Sequence, residues 1–449
     1  MENIVHVSPE EFNASIIPSL KEPNPTDSYN SRLFKKRDNL KQGNFNVLPF
    51  PFKRASYYFP GVEKPTYVNI SAETKVGKTS FASFAFIFEQ LWMAYHNPKL
   101  KVRYLYINAE ESSARIKDRI VSYLLYKYTN REIRIGYRDL NSATVPLPDN
   151  VAAVLQDDGF IDIRDFFFNN IEFADETYPT GISIAIKKFA EKHGEIIKGN
   201  SFETTNNLTG KKTVCQTTVG YKQKDPNEFL IVFMDNLNNV TPESGQTLLQ
   251  AITAVSKNFK DIRNKLGLII IALQQQNAEA DTMDAFKLQR VEPKVTSLAD
   301  CKQTARDLNI AIGIFSPVMK FSGLADGDPR KRDYKGYNLT KFGDYFRTVN
   351  IMVDRDGESS KAFPMFFDGV VNVWEELPKT TDTVALNNYY TLIDNIKAEE
   401  DRNKTFKELY KQNNGLNTSF IIWSKEIYNR VARTSIVQYL CMQFKKLWQ

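Results

Sequence analysis

The sequence predicts an α/β fold: a mostly parallel sheet, a β-hairpin insertion, a short N-terminal arm and a helical C-terminal extension. Three observations predict it. From about 51 to 375, apolar runs of five to eight residues alternate with helical patterns, the rhythm of strands covered on both faces. A stretch rich in Thr, Asn, Gly and Lys, 195–224, interrupts that rhythm, with a turn signal from Asn206 to Gly210 between β-prone flanks. Beyond Pro378 the pattern becomes helical over 385–413, then breaks at Gly and Asn before a basic amphipathic end at 420–449.

The arm, 1–50, lacks apolar periodicity and holds Pro18, Pro23 and Pro25. A basic helical segment follows at 31–43, with Arg32, Lys35, Lys36, Arg37 and Lys41 against Asp38. Strand candidates within 51–375 are 67–71, 102–108, 229–234, 267–273, 309–315 and 347–353. In the extension, 376–449, the final stretch carries Lys425, Arg430, Arg433, Lys445 and Lys446 against Glu426. Two helical patterns separated near Arg433–Thr434 suggest a small helix-turn-helix; the alternative is a tail burying Ile421, Trp423, Ile427, Leu440 and Phe444 on the core.

Composition narrows the function. The 449 residues are 42% hydrophobic and 25% charged, globular proportions at a length for one large domain with additions, or two domains. The longest apolar run, Leu268 to Leu273, is far below the roughly 18 residues of a membrane span, and MENIVHVSPEEF has no basic-then-apolar leader. A soluble, cytoplasmic protein without membrane contact is expected. Cys215, Cys301 and Cys441 lie far apart, and with His6, His96 and His193 they offer no zinc-type spacing. The net charge of +6 allows an anionic partner but falls short of a dedicated nucleic-acid binder.

The segment YVNISAETKVGKTSFAS (67–83) sets a β-prone run before AETKVGKT and a helix-forming segment after it. Phosphate oxygens can be bound there by backbone N–H groups of Ala72, Glu73, Thr74, Lys75, Val76 and Gly77 and of the helix start at Lys78, Thr79 and Ser80. Lys78 would reach the β/γ-phosphates, the Thr79 hydroxyl would ligate magnesium, and Gly77 lets the backbone come close. Ala72 stands where the generic pattern has glycine. FLIVFMD places Asp235 at the carboxyl end of another buried strand, where a carboxylate can associate with magnesium. Glu110, beside Glu111, follows VRYLYIN, and Gln274–Gln276 follow the 267–273 strand. A carboxylate there can activate water, and a glutamine can contact the γ-phosphate.

In this order, strand–AxxxxGKT, strand–xxE, strand–D and strand–xQ resemble the RecA-like motor domain of DnaB-type hexameric replicative helicases, with the phage-encoded members nearest in pattern. Those helicases commonly carry alanine where this chain has Ala72. PKVTSLADCKQTARDLNIAIGIF (293–315) is similar to the family's Pro-x-x-x-Asp-Leu segment and following strand, and VDRDGESSKAFPMFF (353–367) to its Lys-x-Arg-x-Gly hairpin. The resemblance covers roughly 51–375.

It implies a RecA-like P-loop NTPase core that uses ATP and magnesium. Glu110 would be the catalytic carboxylate, Asp235 the magnesium-associated acid, Gln275 the γ-phosphate sensor and Arg355 an arginine finger acting on the next subunit. Val353 stands where the family usually has a lysine, and Ser297 and Asn309 replace aspartates. The loop Leu298–Gln303, with Lys302, and the stretch Thr241–Thr247 become DNA-contact candidates. The segment 31–43 becomes a linker helix holding a hexameric ring, and the family's separate globular N-terminal domain is not expected within 50 residues. The implied activity is an ATP-dependent replicative DNA helicase moving 5′→3′ on single-stranded DNA, with a primase or helicase loader as candidate partners. The alternatives are a recombinase-type filament ATPase and a non-hydrolysing ATP-binding DNA scaffold or loader.

Overall fold

The computed structural model describes residues 25–205, 212–276, 291–298, 302–355 and 357–412. The turn expected at Asn206–Gly210 and the helix-turn-helix expected in the extension lie outside them.

The chain divides into two compact units, 1–46 and 47–449. In the first, α1 (Pro25–Lys41) contains most of the helix expected at 31–43 and starts sooner, at a proline whose fixed φ suits a first turn. Asn46 folds back on its C-terminal end, donating to the Lys36 carbonyl at 2.8 Å.

In the second unit the strands are β1 (Thr66–Ala72), β2 (Lys101–Asn108), β3 (Ile171–Ala174), β4 (Gly194–Thr205), β5 (Lys212–Gln223), β6 (Glu228–Asp235), β7 (Ile269–Gln275), β8 (Ile310–Phe315), β9 (Phe346–Asp354), β10 (Lys361–Asp368) and β11 (Val373–Glu376). All except β4 and β5 form one sheet, ordered β11-β10-β9-β8-β1-β7-β6-β2-β3. From β8 to β3 every neighbouring pair is parallel, whereas β9, β10 and β11 add an antiparallel edge. The six strands expected are present. The sheet exceeds the expectation by β3, only four residues long, and by β10 and β11. β4 pairs with β5 as the expected hairpin insertion.

The central strands β1 and β6 are buried along nearly their whole length, as their unbroken apolar runs require. One face is covered by α4 (Pro179–His193) and α5 (Leu248–Leu266), labelled after α2 (Lys78–Ser83) and α3 (Ser113–Tyr128). Ile182, Ile186, Phe189, Val255 and Phe259 there are 0–1% exposed, and each such side chain contributes roughly 1.5–3 kcal/mol. α5 begins at a Thr247–Gln250 capping box and ends at Gly267, whose φ of 69° only glycine adopts easily. A second, aromatic core joins Phe342, Phe346 and Phe366 to Ile393 and Ile396, one side of α7 (Thr383–Gln412), with α6 (Pro317–Phe321) beside it.

Candidate functional site

Parallel strands deliver their last residues to one edge, and the polar groups found there come from β1, β2, β6 and β7. The loop after β1 turns through Lys75, at φ 66°, and Gly77, at φ 107°, into α2. The helix continues through a π turn, Phe84–Phe88, to His96. Within Thr74–Ser80, the Val76 N–H is engaged by the Glu73 carbonyl at 3.5 Å; among the described residues no protein group takes the N–H of Thr74, Lys75, Gly77, Lys78, Thr79 or Ser80. A concave row of unengaged donors at a helix start is a cradle for an anion.

Asp235 ends β6 directly beside Asn108 of β2. Its carboxyl is pushed up to about 6 by burial, which the nearby Lys78 charge and the Thr79 hydroxyl only partly offset. Burial likewise pushes the Lys78 ammonium down, against the attraction of Asp235 and Glu110. Tyr106 donates to Asp235 Oδ2 at 3.4 Å, whereas buried Oδ1 has no hydrogen-bond partner. An orphaned carboxylate oxygen next to a hydroxyl, in a phosphate cradle, suits a hard divalent cation such as magnesium.

Exposed Glu110 accepts from the Asn236 side-chain amide at 2.8 Å, so the residue after Asp235 aims the carboxylate that follows β2. Beside it, Asn108, Ala109, Glu110, Glu111, Ser112 and Asp175 line a cleft of about 300 Å³. Gln275 donates to the Thr74 hydroxyl, and its backbone N–H donates to Asn238 Oδ1 at 2.7 Å. Gln274 and Gln276 instead bond to Asn69 and Ser71 of β1, because side chains alternate along a strand. Of the three glutamines, Gln275 reaches the loop.

Arg355 does not join this group. β9 runs antiparallel to β8, so its end lies at the opposite edge; the Arg355 N–H donates to the Asn309 carbonyl at 3.2 Å and its guanidinium to the Arg306 carbonyl at 2.6 Å. Val353 packs against the core. Lys302 begins a helix, Lys302–Asp307, instead of lying in a loop; its side chain and residues 299–301 fall outside the description. Thr241–Thr247 is tied down by a Thr241–Thr177 backbone bond of 2.9 Å and a Thr180–Glu243 bond of 2.9 Å.

Several residues of this edge escape motif reading. Asn236 is one. Lys320 of α6 meets Glu73 at 2.5 Å, and Arg347 of β9 donates to the Val76 carbonyl at 2.8 Å. Trp374 donates to the Ser80 hydroxyl at 3.3 Å and stacks on Phe367 at 4.3 Å, beneath Gly77. The available signal is a charged residue inside an apolar pattern, as Arg347 is in FRTVNIMV. Burial pulls its guanidinium down to about 10, still charged at neutral pH.

No protein-family model matches the chain, and no curated protein matches it in sequence. Solved structures do. One, the ATPase domain of a DnaB-like helicase, matches over 80% of this chain and 100% of that domain, with a TM-score of 0.51 and 16% identity. A DnaB-like replicative helicase, described with its interactions with primase, matches over 82% of this chain and 70% of its own, also at a TM-score of 0.51 and 16% identity. The fold is that of DnaB-like helicase ATPase domains, a RecA-like α/β core. Among the described residues no helix is long and apolar enough to cross a membrane.

Proposed function

We propose that this chain, folded as DnaB-like helicase ATPase domains are, hydrolyses ATP to move along single-stranded DNA and unwind duplex. The observation that carries the reading is the convergence of Lys78, Asp235, Glu110 and Gln275 on one run of unengaged N–H groups.

Loop N–H groups and Lys78 would hold the phosphates of ATP. Thr79 and Asp235 would hold magnesium, which neutralises phosphate charge. Glu110, steadied by Asn236, takes a proton from the attacking water, and Gln275 links the γ-phosphate position to the end of β7. Arg355 stands too far from this cradle to serve it, so we assign it to the site of a neighbouring copy, in a ring that is a hexamer by analogy. Guanidinium at the γ-phosphoryl oxygens accelerates other nucleotide hydrolases by roughly 10³–10⁵-fold. Lys302 and Thr241–Thr247 are assigned to DNA, and a primase or loader is the expected protein partner.

Phosphate release with and without single-stranded DNA tests the reading, beside Lys78→Ala. Strong DNA stimulation that Lys78→Ala removes supports a motor. ATP binding without turnover favours the scaffold alternative, which Val353 in place of a second cation keeps open.

A further inference from the structure

Two buried cations lie behind the phosphate loop, and they differ in one respect. The Lys320 side chain, 3% exposed, meets Glu73 Oε1 at 2.5 Å, so a carboxylate matches its charge. Arg347, 4% exposed, donates from Nε to the Val76 carbonyl at 2.8 Å and from Nη1 to the Asp344 and Phe346 carbonyls, both at 2.8 Å. Its guanidinium also lies over the Phe367 ring, 5.3 Å from the centroid. No carboxylate of the described residues forms an ion pair with it. A buried charge without a counter-charge is costly, and carbonyl dipoles compensate it only in part.

The carbonyl that Arg347 grips belongs to the Val76–Gly77 peptide. A planar trans peptide points its C=O and N–H in opposite directions. With the Val76 oxygen turned inward onto Arg347, the Gly77 N–H is turned outward, where no protein group takes it. A donor on the carbonyl also polarises the N–H of the same unit. Trp374 and Phe367, packed beneath Gly77, leave this peptide little room to flip.

We propose that Arg347 is a positioning residue of the phosphate site: through the Val76–Gly77 peptide it aims the Gly77 N–H at a bound phosphate, and the nucleotide's phosphates supply the counter-charge that its buried guanidinium lacks. The inference rests on the loop being the nucleotide site and adds a residue that no loop motif contains.

Equilibrium binding of a fluorescent ATP analogue to the full chain tests it, using wild type, Arg347→Lys, Arg347→Gln and Lys78→Ala, with melting temperatures of the ligand-free proteins. Arg347→Gln should bind about tenfold more weakly, the size of one charge-assisted hydrogen bond. Arg347→Lys, which keeps the charge, should recover most of that loss even though both variants melt below wild type. A merely structural role would lower both melting temperatures and leave both affinities within twofold of wild type; that result overturns the proposal. Should Arg347→Gln not fold, the wild type suffices: with glycine labelled, the Gly77 amide proton should move downfield when inorganic pyrophosphate is added, and an unmoved signal overturns the proposal. Lys78→Ala separates the two levels. If it binds as wild type does, the loop is not the nucleotide site; if it loses binding while Arg347→Gln keeps it, only the role of Arg347 fails.

Discussion

Lys78 and Arg355 stand at opposite edges of one sheet. Lys78 follows the carboxyl end of β1, whereas the Arg355 N–H bonds to Asn309, which in turn bonds to Tyr67 near the start of β1. The span from Tyr67 to Ala72 is about 17 Å of extended chain. A guanidinium on that far edge cannot stabilise phosphoryl transfer at its own Lys78. Arg355→Ala should therefore lower turnover by about 10³-fold or more while each subunit still binds ATP and the assembly keeps its size by light scattering.

Asn236 is placed to orient the catalytic carboxylate rather than to bind nucleotide. Replacing it with alanine removes the 2.8 Å bond to Glu110 but leaves the cradle intact. Steady-state kinetics of Asn236→Ala should show kcat reduced by roughly tenfold, with KM for ATP changed less than about twofold. A rise in KM at unchanged kcat would place Asn236 in nucleotide binding instead.

Gly77 is irreplaceable for two independent reasons. Its φ of 107° disfavours any side chain, and an added Cβ would lie 3.1 Å from Phe367 Cε1 and 3.2 Å from Trp374 Cζ2. Both rings are held in a stack, so neither yields easily. Gly77→Ala should cost about 1–3 kcal/mol in urea unfolding and weaken ATP binding at least tenfold. A variant with wild-type stability and affinity would mean the loop has another conformation.

The Asp235 carboxyl, raised to about 6, makes a prediction with a definite sign. Between about pH 4 and 6 the folded chain holds a proton that the unfolded chain has lost, so this group's contribution to stability falls as pH rises through that window. At pH 7.5 the ionised carboxylate disfavours the metal-free fold by up to about 3 kcal/mol, roughly two pKa units at about 1.36 each. Asp235→Asn should then stabilise metal-free protein at pH 7.5 and have little effect near pH 4, while abolishing turnover. Equal destabilisation at both values would contradict the burial account.

What the sequence makes legible is the set of strand ends. Lys78, Asp235, Glu110 and Gln275 each follow an apolar run that reads as a buried strand, so their arrival at one edge follows from parallel topology. The antiparallel edge is harder to read, because Pro364 interrupts the run that becomes β10, and β3 is four residues long. Residues that act from behind the loop are invisible for a different reason. Lys320, Arg347 and Trp374 meet Glu73, Val76 and Ser80 across long separations in sequence, and nothing local in their surroundings encodes a partner. Asn236 adjoins a motif residue, yet its bond to Glu110 exists only once β2 and β6 are neighbours.

The central claim, a motor whose site is completed by a neighbouring copy, is tested most directly by mixing two inactive variants. Glu110→Gln subunits lack the water-activating carboxylate but carry Arg355, and Arg355→Ala subunits have the reverse defect. DNA-stimulated phosphate release from co-assembled mixtures should exceed the sum of the separate variants and peak near equal proportions. Release no greater than that sum, from assemblies shown by light scattering to contain both chains, would contradict completion of the site in trans.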